Sequence, residues 1–278
     1  MVAADGKAGE ASMMRAIKAE FLKLKGSKVP LWTALAVVAY STIAIAGGFM
    51  WKTFDATAMF RDVGGAWAEA AARGYYTPTW ENLLRQNVQG LAGGVAMLLF
   101  GFVTAYVFGR ERKEGTDATL LTAPVQRRWF AIAKLVVIAA WVFALTLFWF
   151  AIQTVGFAVS GPDGFAWAHI GRSLGQTLEA ALLLYLMLPW VGLAALFGKP
   201  GYLKPMIVAI LLQPTSPLVS TADAHLYPPT MAVLIDGAAW LPVVSDRLTG
   251  VSWAIALGVF AVGCAAVIWK LGRMPDVR

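Results

Sequence analysis

Residues 129–157 read W-F-A-I-A-K-L-V-V-I-A-A-W-V-F-A-L-T-L-F-W-F-A-I-Q-T-V-G-F, with Lys134 the one charged side chain among them. An α-helix rises 1.5 Å per residue, so about 20 apolar residues cross a hydrocarbon core of roughly 30 Å. Apolar residues here run on continuously instead of alternating, which is not the pattern of a β-barrel strand. Backbone groups left unpaired in lipid are costly, so an apolar run of this length must be a helix. It is longer than a crossing needs, and the excess is expected to tilt or project.

Similar runs lie on either side. Upstream they cover residues 30–51 and 87–108; downstream they cover 175–197, 202–221 and 250–270. Over the 278 residues, 59% are hydrophobic and 14% charged, against about 25% charged in an average soluble domain. The reading is an all-α integral membrane protein with six transmembrane helices. Pro189 in the fourth span is an expected kink, and Pro214 and Pro217 interrupt the fifth. Between spans one and two, residues 52–86 are polar and carry Trp67, Tyr75, Tyr76 and Trp80, residue types that favour the membrane interface. A short interfacial helix is expected there over Ala66–Arg73. Residues 222–249, around Tyr227-Pro228-Pro229, read as a re-entrant or extracytoplasmic hairpin.

The first residues are polar and basic, and the run after them is too long for a signal-peptide core, so span one is expected to be a retained signal anchor. Within 11–27, Met13, Met14, Ile17, Phe21 and Leu24 recur at helical spacing. Arg15, Lys18, Glu20, Lys23 and Lys25 fill much of the other face. This predicts an amphipathic helix on the membrane surface, its basic groups toward anionic head groups. The net charge of +7 follows topology. With six spans, 17 of the 23 Lys and Arg fall on the side of the termini and six on the other. By the positive-inside rule both termini are cytoplasmic. Dropping the fifth span would move the C-terminal basic cluster outside.

Cys264 is the only cysteine, so no internal disulfide or Cys-based metal cluster forms. His169 and His225 lack metal-ligand spacing. There is no G-x-x-x-x-G-K-[ST], no H-E-x-x-H and no G-x-S-x-G, so the chain has no phosphate cradle and no recognisable hydrolytic site. Paired charges at the bilayer midplane, which a secondary transporter or channel would use, are missing from the pattern. Glu179 is the one acidic residue inside an expected span. Its place near the outer end of span four suits a substrate role or an interfacial structural role. Trp149, Phe150 and Gln153, near the outer end of span three, are candidates for lining a path for an amphipathic substrate. Stripes of small residues (Gly90, Gly94, Gly101 and Ala105 in span two; Ala254, Gly258, Ala261 and Ala265 in span six) allow close helix packing.

The most specific stretch is the loop 109–128 with the first residues of span three: G-R-E-R-K-E-G-T-D-A-T-L-L-T-A-P-V-Q-R-R-W-F-A-I-A-K, from Gly109 to Lys134. Glu111 and Glu114 are three apart, on one helical face. Thr116 is a helix-capping residue type, with Gly115 beside it allowing other turns. Leu120 and Leu121 supply an apolar contact, and Pro124 ends a helix near Ala123. A short charged helix with an apolar ridge is a grip for a soluble partner.

R-E-R-K-E-G-T-x-x-T-L-L-T-x-P-V-x-R-x-x-x-x-x-K resembles the cytoplasmic loop of ABC-2-type permeases, above all the bacterial bacitracin- and lantibiotic-immunity kind. Glu20, Lys23, Leu24 and Lys25 are similar to the family's opening E-x-x-K-L-(K/R) helix, and Arg112 stands where it often has an aromatic. The resemblance implies a permease of six helices, paired with a second copy or a paralogue. Two copies of a separate ABC ATPase would bind ATP and Mg below, and this chain would carry no cofactor of its own. It implies that Glu111, Glu114, Gly115, Thr116, Leu120, Leu121 and Pro124 belong to a coupling helix. It further implies export of a peptide antibiotic, drug or lipid across the cell membrane, with no nucleic acid involved.

Overall fold

The computed structural model describes residues 2–53, 55–63, 65–116, 127–213, 223–235 and 248–273. Helix α1 (Val2–Lys25) precedes α2 (Val29–Thr53). The turn between them is short: Gly26 N donates to Leu22 O at 2.9 Å, and Ser27 Oγ accepts from Val29 N at 3.3 Å. Pro30 sits in the first turn of α2, where a missing N–H is harmless. Two short helices come next, α3 (Ala56–Val63) and α4 (Gly65–Ala72). The expected Ala66–Arg73 helix is thus the second of two.

Span two differs from expectation in shape and start. Helix α5 (Trp80–Gly90) begins well before residue 87, capped by Thr79, whose hydroxyl accepts from Asn82 N at 3.3 Å. A π-helical turn, Leu91–Val95, leads into α6 (Ala96–Glu114), and the two arms are bent by 41°. The reason for the late expectation is compositional: Glu81, Asn82, Arg85, Gln86 and Asn87 hide the outer arm from hydropathy. At the other end α6 continues to Glu114, so the first residues of the expected 109–128 loop belong to this helix. Gly115 closes it at φ 70°, a left-handed conformation that glycine adopts without strain.

Helix α7 (Arg127–Ser160) has 34 residues and α8 (Trp167–Ala195) has 29, running through Pro189. Helix α9 (Leu203–Leu211) is short; Pro214 follows it in sequence, and 214–221, the rest of the expected fifth span, lie outside the described residues. A 3-10 turn (Ala224–Leu226) and α10 (Pro228–Leu234) form the described part of the expected hairpin, and α11 (Gly250–Gly272) ends the bundle. Among the described residues there is no named strand.

Among the described residues, four helices are long and apolar enough to cross a membrane, or five when the bent α5–α6 pair is one span. Helix α8 is the centre: 61% of its apolar window is buried, against 22% for α2 and for α11, which leave wide apolar faces outward. Around α8 pack α5, α6, α7, α9, α10 and α11. At Gly101 the missing side chain lets α9 approach, since a Cβ there would lie 2.5 Å from that of Ala209.

Side-chain contacts fix the direction of each helix. Lys23 of α1 meets Glu111 near the end of α6 at 2.6 Å. Arg112 donates to Ala195 O and Gly198 O, at the end of α8 and just past it, at 3.1 and 2.7 Å. Lys270, near the end of α11, lies 4.6 Å from the ring of Phe197. The ends of α1, α6, α8 and α11 therefore share one end of the bundle. From there α9 climbs beside α6: Tyr202 lies against Gly109, Ala209 against Gly101, and Gln213 donates to Gly93 O at 3.0 Å. At the far end, Trp80 N donates to Asp163 O at 3.0 Å, tying α5 to the α7–α8 turn.

Candidate functional site

Two polar clusters break the apolar bundle. The first stands at the α1 end and is built from three helices. Lys134, about two turns into α7, has Nζ 3.1 Å from Glu20 Oε2 and 3.0 Å from Glu111 Oε2. Lys23 Nζ lies 2.7 Å from Glu20 Oε1 and 2.6 Å from Glu111 Oε1. Each lysine thus bridges both carboxylates, and the four groups form a closed ring of alternating charge. The third donor of Lys134 goes to Val107 O at 2.9 Å. Side-chain exposure is 4% for Glu20 and Lys134, 13% for Glu111 and 33% for Lys23. Burial disfavours charge on Lys23, but its bonds to Glu111 and Glu20 outweigh this and hold its ammonium above the ordinary lysine range.

The ring relocates two residues expected on the membrane surface. Glu20 and Lys23 turn into the bundle, whereas Arg15, Lys18 and Lys25 stay exposed beside Met14, Phe21 and Leu22. It also separates Glu111 from Glu114. Glu111 faces inward, and Glu114 is 49% exposed, held by Arg110 Nε at 2.9 and 3.1 Å. Thr116 donates its N–H to Glu111 O at 2.9 Å, finishing α6 beyond Gly115. Leu120, Leu121 and Pro124 lie outside the described residues.

The second cluster lies toward the far end, between α2, α5 and α7. Trp149 Nε1 donates to Asn87 Oδ1, and its ring stacks on Tyr40 with centroids 4.8 Å apart. Trp149, Asn87 and Gln153 are all buried, at 2%, 2% and 1% exposure. Asn87 Nδ2 and Gln153 Oε1 are buried without a hydrogen-bond partner. Phe150 points elsewhere, into an aromatic and aliphatic cluster with Trp80, Leu83, Leu84 and Phe157. Glu179 is half-buried on α8. On the α5–α8 side of the same end, Arg85, Arg172, His169 and Gln176 line an open cleft of about 100 Å³ with Glu81 and Ser173.

Sequence reading missed Lys134 and Asn87. A lone lysine within an apolar run is the available signal for the first, and the charge count absorbs it among the 17 basic residues on the side of the termini. Asn87 was one polar residue among several.

The chain matches the ABC-2 family transporter protein family over residues 16–214. It belongs to that family, and is a multi-pass membrane protein of the transporter-permease class. Among characterised proteins, it is similar to the bacitracin transport permease protein of Bacillus licheniformis, 28% identical over 180 residues, covering 63% of this chain and 84% of that protein.

Proposed function

We propose that this chain is the membrane subunit of an ATP-driven exporter that moves an amphipathic molecule, of which a peptide antibiotic is the leading class. The supporting observation is the end of α6, where Glu114 is exposed at the α1 end of the bundle immediately before the segment 117–126. That segment carries the L-L-T-x-P-V pattern and would form the coupling helix, with Glu114, Gly115, Thr116, Leu120, Leu121 and Pro124 meeting the partner. Two ATPase subunits would hold ATP and Mg, and a second permease copy or paralogue would complete the complex. Residues 202–221 would make the fifth of six crossings, with 222–249 as a re-entrant or extracytoplasmic hairpin and both termini facing the cytoplasm. The relative's name directs the first substrate to try, bacitracin. Trp149, Phe150, Gln153 and Glu179 remain the proposed substrate-path residues.

Nucleotide-driven movement of the docking segment would swing α6 and α7 between two arrangements, the bistable element a transporter needs. The test is co-expression with a candidate ABC ATPase subunit in a bacitracin-sensitive bacterium. The expected result is co-purification, ATPase activity that depends on this chain, and protection against bacitracin or another membrane-active peptide. Charge reversal, Glu114→Lys, should leave the chain in the membrane and separate ATP hydrolysis from protection. Unchanged protection in that variant would overturn the docking assignment.

A further inference from the structure

We infer that the cleft between α5 and α8, at the far end of the bundle, is a binding site for a phosphate group, carried on a membrane lipid or free in solution. The first ground is position. Helix α8 has 29 residues and rises about 43 Å, close to the roughly 40–45 Å of a bilayer with both headgroup layers. Its last residues stand at the α1 end, so its first two turns lie in the opposite headgroup layer. Aromatic rings mark that layer: exposed Phe165 packs edge-on against exposed Trp167 and against Trp80, with centroids 5.3 and 5.2 Å apart. Glu81 follows Trp80 directly, and Arg172 lies five residues after Trp167, so the cleft opens just inside these rings.

The second ground is the lining. His169, Arg172 and Gln176 recur at intervals of three and four along one face of α8, and Glu81 and Arg85 stand four apart on α5. Ser173 Oγ donates to Leu84 O at 3.2 Å and ties the two walls together. The cleft holds about 100 Å³, several times what one water needs. Two guanidiniums line it against one carboxylate. Arg85 Nη2 lies 3.0 Å from Glu81 Oε1, whereas the Arg172 side chain has no ion pair or hydrogen bond among the described residues. Like charges around one small cleft repel, and an anion between them turns that repulsion into attraction. A guanidinium fork meets two oxygens of a phosphate at once. A phosphomonoester presents three acceptor oxygens, enough to engage both arginines, where a carboxylate has only two.

The test is titration calorimetry on the purified full chain in an uncharged detergent, with dioctanoyl phosphatidic acid, dioctanoylglycerol and inorganic phosphate as separate probes. Arg172→Gln should weaken phosphatidic acid binding by about tenfold. Glu81→Gln frees Arg85 of its carboxylate and should tighten binding by about threefold. Arg61→Gln removes an exposed charge from α3, outside the cleft, and should stay within about twofold of the unaltered chain. Phosphatidic acid tighter than inorganic phosphate, both depending on Arg172, makes a membrane lipid the source of the group; equal affinities make it free phosphate. Binding of phosphatidic acid untouched by Arg172→Gln would overturn the site, as would dioctanoylglycerol binding equally well. Basic residues at the α1 end also attract anionic lipid, and damaged packing between α5 and α8 would weaken any ligand. The opposite signs of the Arg172 and Glu81 variants separate the site from both effects, and a loss in both variants would overturn it.

Discussion

Gly101 offers a quantitative check on how α9 seats against the bundle. Replacing it by alanine places a Cβ 2.5 Å from the Ala209 Cβ, whereas ordinary van der Waals contact begins near 3.4 Å. The neighbour is a buried side chain next to its own backbone, with no flexible end to move aside, so the helices must part by about 0.9 Å. Overpacking of this kind costs about 1–3 kcal/mol. The better helix propensity of alanine returns about 0.5–1 kcal/mol. A net loss of about 1–2 kcal/mol is expected, or a fall in melting temperature of roughly 2–8 °C on the scale of soluble domains. Gly258 is the control, because a Cβ there meets nothing within 4 Å, and Gly258→Ala should hold or raise the melting temperature. The single thiol, Cys264, half-buried on α11, makes the assay simple. A thiol-reactive fluorophore reports unfolding in detergent as that residue is exposed. Ala209→Gly combined with Gly101→Ala should recover most of the loss by moving the methyl group from one helix to the other. A Gly101→Ala protein as stable as the unaltered one, or no recovery in the double variant, would refute the close α6–α9 packing.

Other contacts give further outcomes in the same thermal assay. Trp149→Phe strips the donor from Asn87 Oδ1 and leaves it buried and unpaired, a loss of about 1–3 kcal/mol that Asn87→Leu in the same chain should largely reverse. Thr249→Ala removes the capping box of α11, in which Thr249 and Ser252 each accept the other's N–H, at about 0.5–2 kcal/mol. Lys23 has a folded-state pKa above its ordinary 10.5, so its contribution is fully present below that value and is lost only as pH rises past it. Melting temperatures of the unaltered chain and Lys23→Met should therefore differ by a constant amount from about pH 6 to 9; a difference that vanishes within that window would contradict the ring.

The long apolar runs announced α2, α7, α8 and α11, because spanning hydrophobicity is a local property of the chain. Elements that depend on distant partners were hidden. The outer arm α5 carries Glu81, Arg85 and Asn87, and only burial against α7 and α8 makes it part of the bundle. Helix α9 ends at Leu211, shortly before Pro214, which disfavours helix in the residue before it, so the described part of that apolar stretch, up to Gln213, holds a helix of nine residues. The candidate coupling motif was legible as a pattern of residue types, yet nothing in it says that Glu111 turns away from Glu114. That depends on two lysines, 88 and 23 positions away along the chain.

The π-turn at Leu91–Val95 gives span two an elbow. Its inner arm is pinned to the charged ring, and its outer arm is pinned to Trp149 and to the α7–α8 turn. A straight rod would pass a push along its own axis. A rod bent by 41° would turn the push into a sideways swing at the far end of the bundle, where the buried amide of Asn87 sits. Gln213 donates to the Gly93 carbonyl inside the π-turn, so the end of α9 is tied to the elbow itself.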